Sequence, residues 1–227
     1  KFGKLDADLE SLIAGAAAEA IRDAGIAPAE IGAIYVGNFG GFEKQSFPAS
    51  LALVDPALRF RPATRVENAC ATGSAAVRQG LNDIAARQSR FALVVGAEKM
   101  TAAPAAAIGD ILLNAAYRKE EGDTEGGFAG IFGRIAQLYF QRYGDKSEAL
   151  ARIAAKNHRN GAENPYAQLR KDLGFDFCNT VSEKNPLVAG PLRRTDCSLV
   201  SDGAAALVLT DTETALRMTK AVQIRAC

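Results

Sequence analysis

Tryptophan is absent from the 227 residues, methionine occurs twice and histidine once. The single His158 sharply limits any chemistry within this chain that needs imidazole. Cysteine is scarce as well. Cys70, Cys178, Cys197 and Cys227 are widely spaced and form no CxxC pair, so neither a disulfide framework nor a zinc site is indicated. That usage fits a reduced, cytoplasmic setting. No run of apolar residues approaches the roughly eighteen of a membrane span. The start, Lys1 to Asp6, lacks a secretory signal pattern. Neither sign of charge is in excess: 27 Lys and Arg against 26 Asp and Glu leave a net +1. A nucleic-acid binder needs a clustered basic face, and this balance argues against one.

What is present is the mix of an ordinary globular protein, 48 % hydrophobic and 23 % charged, which excludes disorder. The length fits one large domain, or one domain with a sizeable insertion. Leu5 to Ala24 carries apolar residues at helical spacing, with Gly25 as its stop. Ile34 to Val36 reads as a strand, and Gln45 to Val54 as a shorter helix whose start is blurred by Pro48. Thr64 to Asn68 reads as a strand that leads into a helix over Ala71 to Ala86. The first turns of that helix are almost all small residues, which predicts a helix buried on most sides. Phe91 to Val95 is a continuous apolar run, the mark of a strand covered on both faces. Helices and strands thus alternate, and the expected architecture is α/β with a mostly parallel sheet.

The pattern changes after Met100. From about Pro104 to Arg194 there is no strong strand. Helices are predicted over Ile131 to Tyr143 and Ser147 to Asn160. This span reads as a mostly helical insertion, placed over the sheet end where Cys70 emerges, because open α/β sheets bind ligands at their strand ends. The sheet resumes at Ala204 to Leu209, and the alternating Ala221 to Arg225 reads as a final, half-exposed strand.

Cys70 sits where a strand hands over to a helix. Backbone N–H groups at a helix N-terminus favour a thiolate, and the small residues that follow admit a substrate. On position alone two readings stand: a nucleophile, or a buried structural cysteine. Ser201-Asp202-Gly203 lacks a G-x-S-x-G elbow and a following His, so it reads as a turn into the next strand, not a hydrolase motif. The Gly-rich stretch Gly126 to Gly133 has no Gly-Lys-Ser/Thr and is no phosphate loop.

Val66-Glu67-Asn68-Ala69-Cys70-Ala71-Thr72-Gly73-Ser74-Ala75-Ala76 resembles the nucleophile segment of thiolases, more narrowly of the sterol-carrier-protein type. Four further stretches match that subfamily in order. They are Val94 to Met100, Lys156-Asn157-His158 with Asn164-Pro165-Tyr166, Asn185 to Leu192, and Asp196-Cys197-Ser198 with Ser201 to Ala206. The resemblance covers nearly the whole chain and favours the nucleophile reading of Cys70.

The resemblance implies a thiolase-like fold of two βαβαβαββ halves packed face to face. Residues 1–103 and 195–227 would form the N-terminal half without its first strand, and 104–194 the inserted loop subdomain. The second half would lie outside this chain. The implied activity is acyl transfer between coenzyme A and an acyl-CoA carbon through an acyl-cysteine on Cys70. It would run as thiolysis of a 3-oxoacyl-CoA or as Claisen condensation. Phe128 and Phe132 are the candidate walls of an acyl pocket. The implied base is an imidazole of the second half, with a second cysteine beside it, and His158 is expected to be a packing or surface residue. Arg193 or Arg194 is a candidate contact for a phosphate of coenzyme A.

Coenzyme A would be a co-substrate, with no covalently bound cofactor and no metal. The implied partners are a second copy of the chain, joined through the Phe91–Val95 strand and the Cys70 helix, and a small OB-fold, zinc-containing protein. A thiolase-like retro-aldol lyase acting on a CoA thioester, and a non-catalytic subunit of a complex, are the alternative functions. No role is assigned to Cys227.

Overall fold

Asp8 sets where the first helix begins. Its carboxylate accepts the Ser11 N–H at 2.8 Å, and α1 runs over Leu9–Ala24, four residues later than the apolar spacing from Leu5 predicts. Gly25 ends it at φ 69°, as expected. Leu9, Ile13, Ala17 and Ile21 form its buried face. The chain is described here by a computed structural model over residues 2–225, and Cys227 lies outside the described residues.

Three parallel strands follow from the apolar runs: β1 (Ile31–Gly37), β2 (Ala63–Val66) and, after α2 (Thr72–Ala85), β3 (Phe91–Lys99). Further on, the chain divides into two compact units. One is Lys4–Ala102 together with the chain from Asp202 onward. The other is Ala103–Ser201 with the N-terminal tip up to Gly3.

In the first unit the sheet has the order β2-β1-β3-β6, where β6 (Asp202–Thr210) runs antiparallel to β3. One sheet face packs Leu93, Val95 and Ala97 with α1. The other packs Ala92 and Val94 with α2. β3 is paired along both edges, by β1 and by β6, so this strand has no free edge to pair with a second copy of the chain.

Three local expectations change. The Gln45–Val54 helix is a 3-10 segment, Pro48–Val54. Pro48 opens it, and Pro56 forces Asp55 into extended backbone (ψ 117°), so two prolines leave too short a stretch for an α-helix. Only one face of α2 is buried, the stripe Thr72, Ala76, Gly80 and Asp83, because only one layer meets it; Gly73 and Ser74 are exposed. Small size matters at Gly80, where a Cβ would lie 2.7 Å from Leu209 Cδ1. Residues 221–225 form no strand. They follow the short α8 (Thr212–Ala215), and their alternating pattern meets no sheet edge, so Val222 stays exposed.

The second unit holds α3 (Ala105–Leu112), α4 (Arg118–Glu121), α5 (Gly127–Tyr143), α6 (Ser147–Glu163) and α7 (Gly174–Asn179). It also holds a ribbon that the apolar pattern did not reveal, β4 (Leu187–Ala189) against β5 (Leu192–Arg193). Gly190, at φ 51°, makes the turn between them. The ribbon is its own sheet and adds no strand to the four-stranded one. Asn185 organises this region from full burial. Its Nδ2 donates to the carbonyls of Phe177 and Thr180 at 3.0 and 3.2 Å, and its Oδ1 accepts the Thr195 N–H at 3.0 Å.

Among the described residues of the first unit, Phe60 is one of three left-handed non-glycine residues, with Ala69 and Arg87. It is 99 % exposed and has φ 66°, the left-handed region that costs a non-glycine residue about 1–2 kcal/mol. Glycine returns roughly half of that through its larger unfolded-state entropy. Phe60→Gly is therefore expected to raise stability by about 0.5–1 kcal/mol, read as a higher urea midpoint at an unchanged slope. A lower midpoint would contradict the left-handed turn.

Candidate active site

The chain passes from β2 into α2 through Glu67 to Ala71, and the backbone there is sharply bent. Asn68 has φ −157° and ψ 53°. Ala69 has φ 45°, left-handed again, at a cost of order 1–2 kcal/mol. Ala69–Ala71 then make one 3-10 turn that runs directly into α2. Cys70 is at the crest of this elbow, with its thiol exposed at the positive end of α2.

Side chains hold the bend. Glu67 accepts the Ala69 N–H at 2.5 Å. The Thr72 hydroxyl accepts the Asn68 N–H at 2.8 Å and donates to the Ala69 carbonyl at 2.6 Å. β1 packs tightly against this turn. A Cβ on Gly37 would come within 3.2 Å of both Thr72 Cγ2 and the Thr72 carbonyl oxygen.

The segment after β1 is gripped as well. Asn38 donates its N–H to the Val66 carbonyl at 3.2 Å, which carries the β1–β2 pairing up to the elbow. Arg65, on β2, donates to the carbonyls of Asn38 and Phe39 at 3.1 and 2.7 Å. On the other side, the Glu98 carboxylate accepts the N–H groups of Phe39 and Gly40 and the Asn38 amide. Burial pushes Glu98 up to about 7, against the pull of those donors and of Arg65.

One strand end is locked by charge. Asp202 is fully buried and accepts from Lys99 Nζ at 2.7 Å, the Thr101 N–H at 2.8 Å, the Thr101 hydroxyl at 2.6 Å and the Leu5 N–H at 3.1 Å. Burial would raise its carboxyl, but Lys99, Thr101 and Leu5 together hold it down at about 2. Ser201-Asp202-Gly203 is thus more than a turn into β6. It supplies the anion that fastens β6 to the end of β3 and to the segment before α1.

The other residues singled out by sequence are distributed as follows. Cys178 is buried and Cys197 half-buried, and burial pushes both thiols up. Cys70 is the exposed one of the three described cysteines. Phe128 and Phe132 are one turn apart on α5, in the second unit, with their rings edge to face at 5.2 Å; Phe132 is 50 % exposed. His158 is half-buried on α6 of the same unit.

Arg193 does not offer its guanidinium to a phosphate. It is buried, paired with Asp196 at 3.2 Å and bonded to Asn179 and the Ser147 carbonyl at 3.2 and 2.6 Å, so each of its three nitrogens has a partner inside the fold; Arg194 is exposed. Sequence reasoning missed Thr72, Arg65 and the Lys99–Asp202 pair. The last was signalled only by the fact that both residues belong to the ordered stretches that resemble one subfamily.

Residues 2–213 match the family model for the thiolase N-terminal domain. An acetyl-CoA acetyltransferase of Methanothermobacter thermautotrophicus is 37 % identical over 216 residues, covering 92 % of this chain and 54 % of that protein. Rabbit (Oryctolagus cuniculus) sterol carrier protein 2 is 30 % identical over 179 residues, covering 73 % of this chain and 31 % of that protein. Among solved structures, an Ltp2–ChsH2(DUF35) aldolase superposes with a TM-score of 0.70 at 19 % identity, over 96 % of this chain and 55 % of the other, which shows a shared fold. The chain spans about half the length of the acetyltransferase it matches. Among the described residues, no helix is long and apolar enough to cross a membrane.

Proposed function

Since the chain belongs to the thiolase family through its N-terminal domain, we propose that it carries the acyl-accepting half of an acyl-CoA acyltransferase site, with Cys70 as the nucleophile. The observation that carries this reading is the exposed Cys70 thiol on a strained, side-chain-braced elbow at the start of α2. In the proposed step the Cys70 sulfur attacks the carbonyl carbon of an acyl-CoA. The thioester bond to coenzyme A breaks, the acyl group stays on Cys70, and coenzyme A leaves as the thiol. A carbon nucleophile then takes the acyl group in the condensation direction. In thiolysis Cys70 instead attacks the 3-oxo carbon of a 3-oxoacyl-CoA, the C2–C3 bond breaks, and C2 is protonated and leaves as acetyl-CoA. Coenzyme A then takes the acyl group from Cys70.

The Cys70 N–H is proposed as one donor to the developing oxyanion, with a second donor needed beside it. The imidazole that takes the thiol proton and the second acid–base group are assigned to the part of the relatives' length that this chain does not span. Phe128 and Phe132 are proposed as walls for the acyl chain. The reading extends to a homodimer and to a small OB-fold, zinc-containing partner. A retro-aldol lyase on the same fold is the second reading, and an intact, exposed Cys70 favours acyl transfer over it.

The test is acetyl-CoA-dependent acylation followed by peptide mass mapping. The acetyl group is expected on the Cys70 peptide and not on those of Cys178 or Cys197. His158→Ala is expected to leave the rate within about twofold, since its side chain is assigned no proton transfer. Acylation at another cysteine would overturn the assignment. Loss of acylation in His158→Ala would make His158 the base.

A further inference from the structure

Thr72 is the first residue of α2 and only 6 % exposed. Its hydroxyl does two things at once. It accepts from the N–H of Asn68 and donates to the carbonyl of Ala69, so it closes a loop around the two residues that precede Cys70. A hydroxyl has one proton to give and lone pairs to receive, so one oxygen serves both bonds.

The backbone between those two groups includes the left-handed Ala69, a conformation that persists only where its surroundings impose it. Glu67 assists from the outside, but its carboxylate is exposed to competing water. Thr72 is the buried brace. Its methyl group is fixed in turn, because Gly37 of β1 leaves room for Cγ2 and little more: a Cβ there would lie 3.2 Å away. A β-branched side chain in a helix has few χ1 choices, so the hydroxyl direction is set by the packing of β1 on α2.

We propose that Thr72 is a positioning residue for Cys70, its hydroxyl latching the elbow so that the thiol is held over the N-terminal end of α2. This inference rests on the reading of Cys70 as the acyl-accepting nucleophile. It adds the device that aims it. Without the latch, Ala69 relaxes toward ordinary backbone and the sulfur leaves its place at the N-terminal end of α2.

The test uses the full chain with Thr72→Val, which keeps the shape and removes the hydroxyl, and Thr72→Ser, which keeps the hydroxyl and removes the methyl. Two rates are followed at Cys70 by peptide mass mapping, acylation by acetyl-CoA and alkylation by iodoacetamide. Cys197 in the same sample is the internal reference. All variants are compared below the onset of their unfolding. Thr72→Val is expected to slow both reactions at Cys70 by about tenfold, with Cys197 unmoved, and Thr72→Ser to return them to within about threefold of wild type.

A residue that only stabilises the fold would lower the melting temperature and leave the Cys70 rates of folded protein unchanged. That result overturns the proposal, as does failure of serine to rescue. If wild type takes the acetyl group at another cysteine while Thr72→Val still slows alkylation of Cys70, the nucleophile reading fails and the latch stands. Should Thr72→Val not fold, Gly37→Ala provides the second measurement. It crowds Thr72 without removing the hydroxyl and is expected to slow Cys70 alkylation by about threefold; an unchanged rate there counts against the latch.

Discussion

Cys70→Ala is expected to abolish acyl loading from acetyl-CoA, a loss of at least about a thousandfold measured as acyl-protein formed per unit time. Alanine removes the sulfur on which the acyl group is proposed to sit. The elbow itself should survive, because the bonds that hold it come from Glu67 and Thr72 and the backbone, none of them from the thiol. Cys70→Ser is the sharper variant. It leaves an oxygen at the crest of the same turn, but a serine hydroxyl is a far weaker nucleophile than a thiol unless a base stands beside it. Serine is therefore expected to lose nearly as much as alanine. If both variants load acetyl groups like wild type, Cys70 is a bystander and the chain is a scaffold that keeps the thiolase fold. If serine retains most of the rate, a strong base lies next to residue 70.

Much of the frame was legible because it obeys short-range rules. α1 shows its stripe of Leu9, Ile13, Ala17 and Ile21, and Gly25 marks its end. The continuous apolar run at Phe91 reads as a strand with cover on both faces, and β3 is that strand. The Val66–Ala76 segment was legible as a motif, and it is the elbow between β2 and α2. What was hidden depends on partners distant in sequence. The apolar run does not tell which strand pairs with β3, so β6 closing its free edge was not foreseen. Lys99 and Asp202 lie 103 residues apart, and nothing in the composition says that they meet. Thr72 stood out only as one letter of the matched motif, and its hydroxyl acquires a role only once Asn68 and Ala69 have bent back over it. The pattern at 221–225 shows the opposite failure. Alternation makes a strand only where an edge is available to pair with it.

Asp202→Ala is expected to cost about 3–5 kcal/mol, the loss typical of breaking a buried ion pair from one side. The Lys99 ammonium is left with 11 % side-chain exposure and without its carboxylate. The Thr101 and Leu5 N–H groups lose their acceptor as well. At ~2–4 °C per kcal/mol for a chain of this size, the melting temperature should fall by roughly 10 °C.

The pH dependence has a definite sign. The folded carboxyl is held at about 2, below its ordinary 3.8, so its contribution is full above 3.8 and is lost as the pH falls through about 2. Asp202→Asn, which cannot ionise, should therefore show a flatter acid limb than wild type in that window. Lys99→Met with Asp202→Leu separates the pair from the space it fills. Two apolar side chains remove both charges together, and the double variant is expected to regain the part of the loss due to the unpaired Lys99, but not the part due to the Thr101 and Leu5 N–H groups, which still lack their acceptor. A loss of less than about 1 kcal/mol in Asp202→Ala would be that of an exposed pair. The anion would then not fasten β6 to β3, and the end of the sheet beside Glu98 would be held by strand pairing alone.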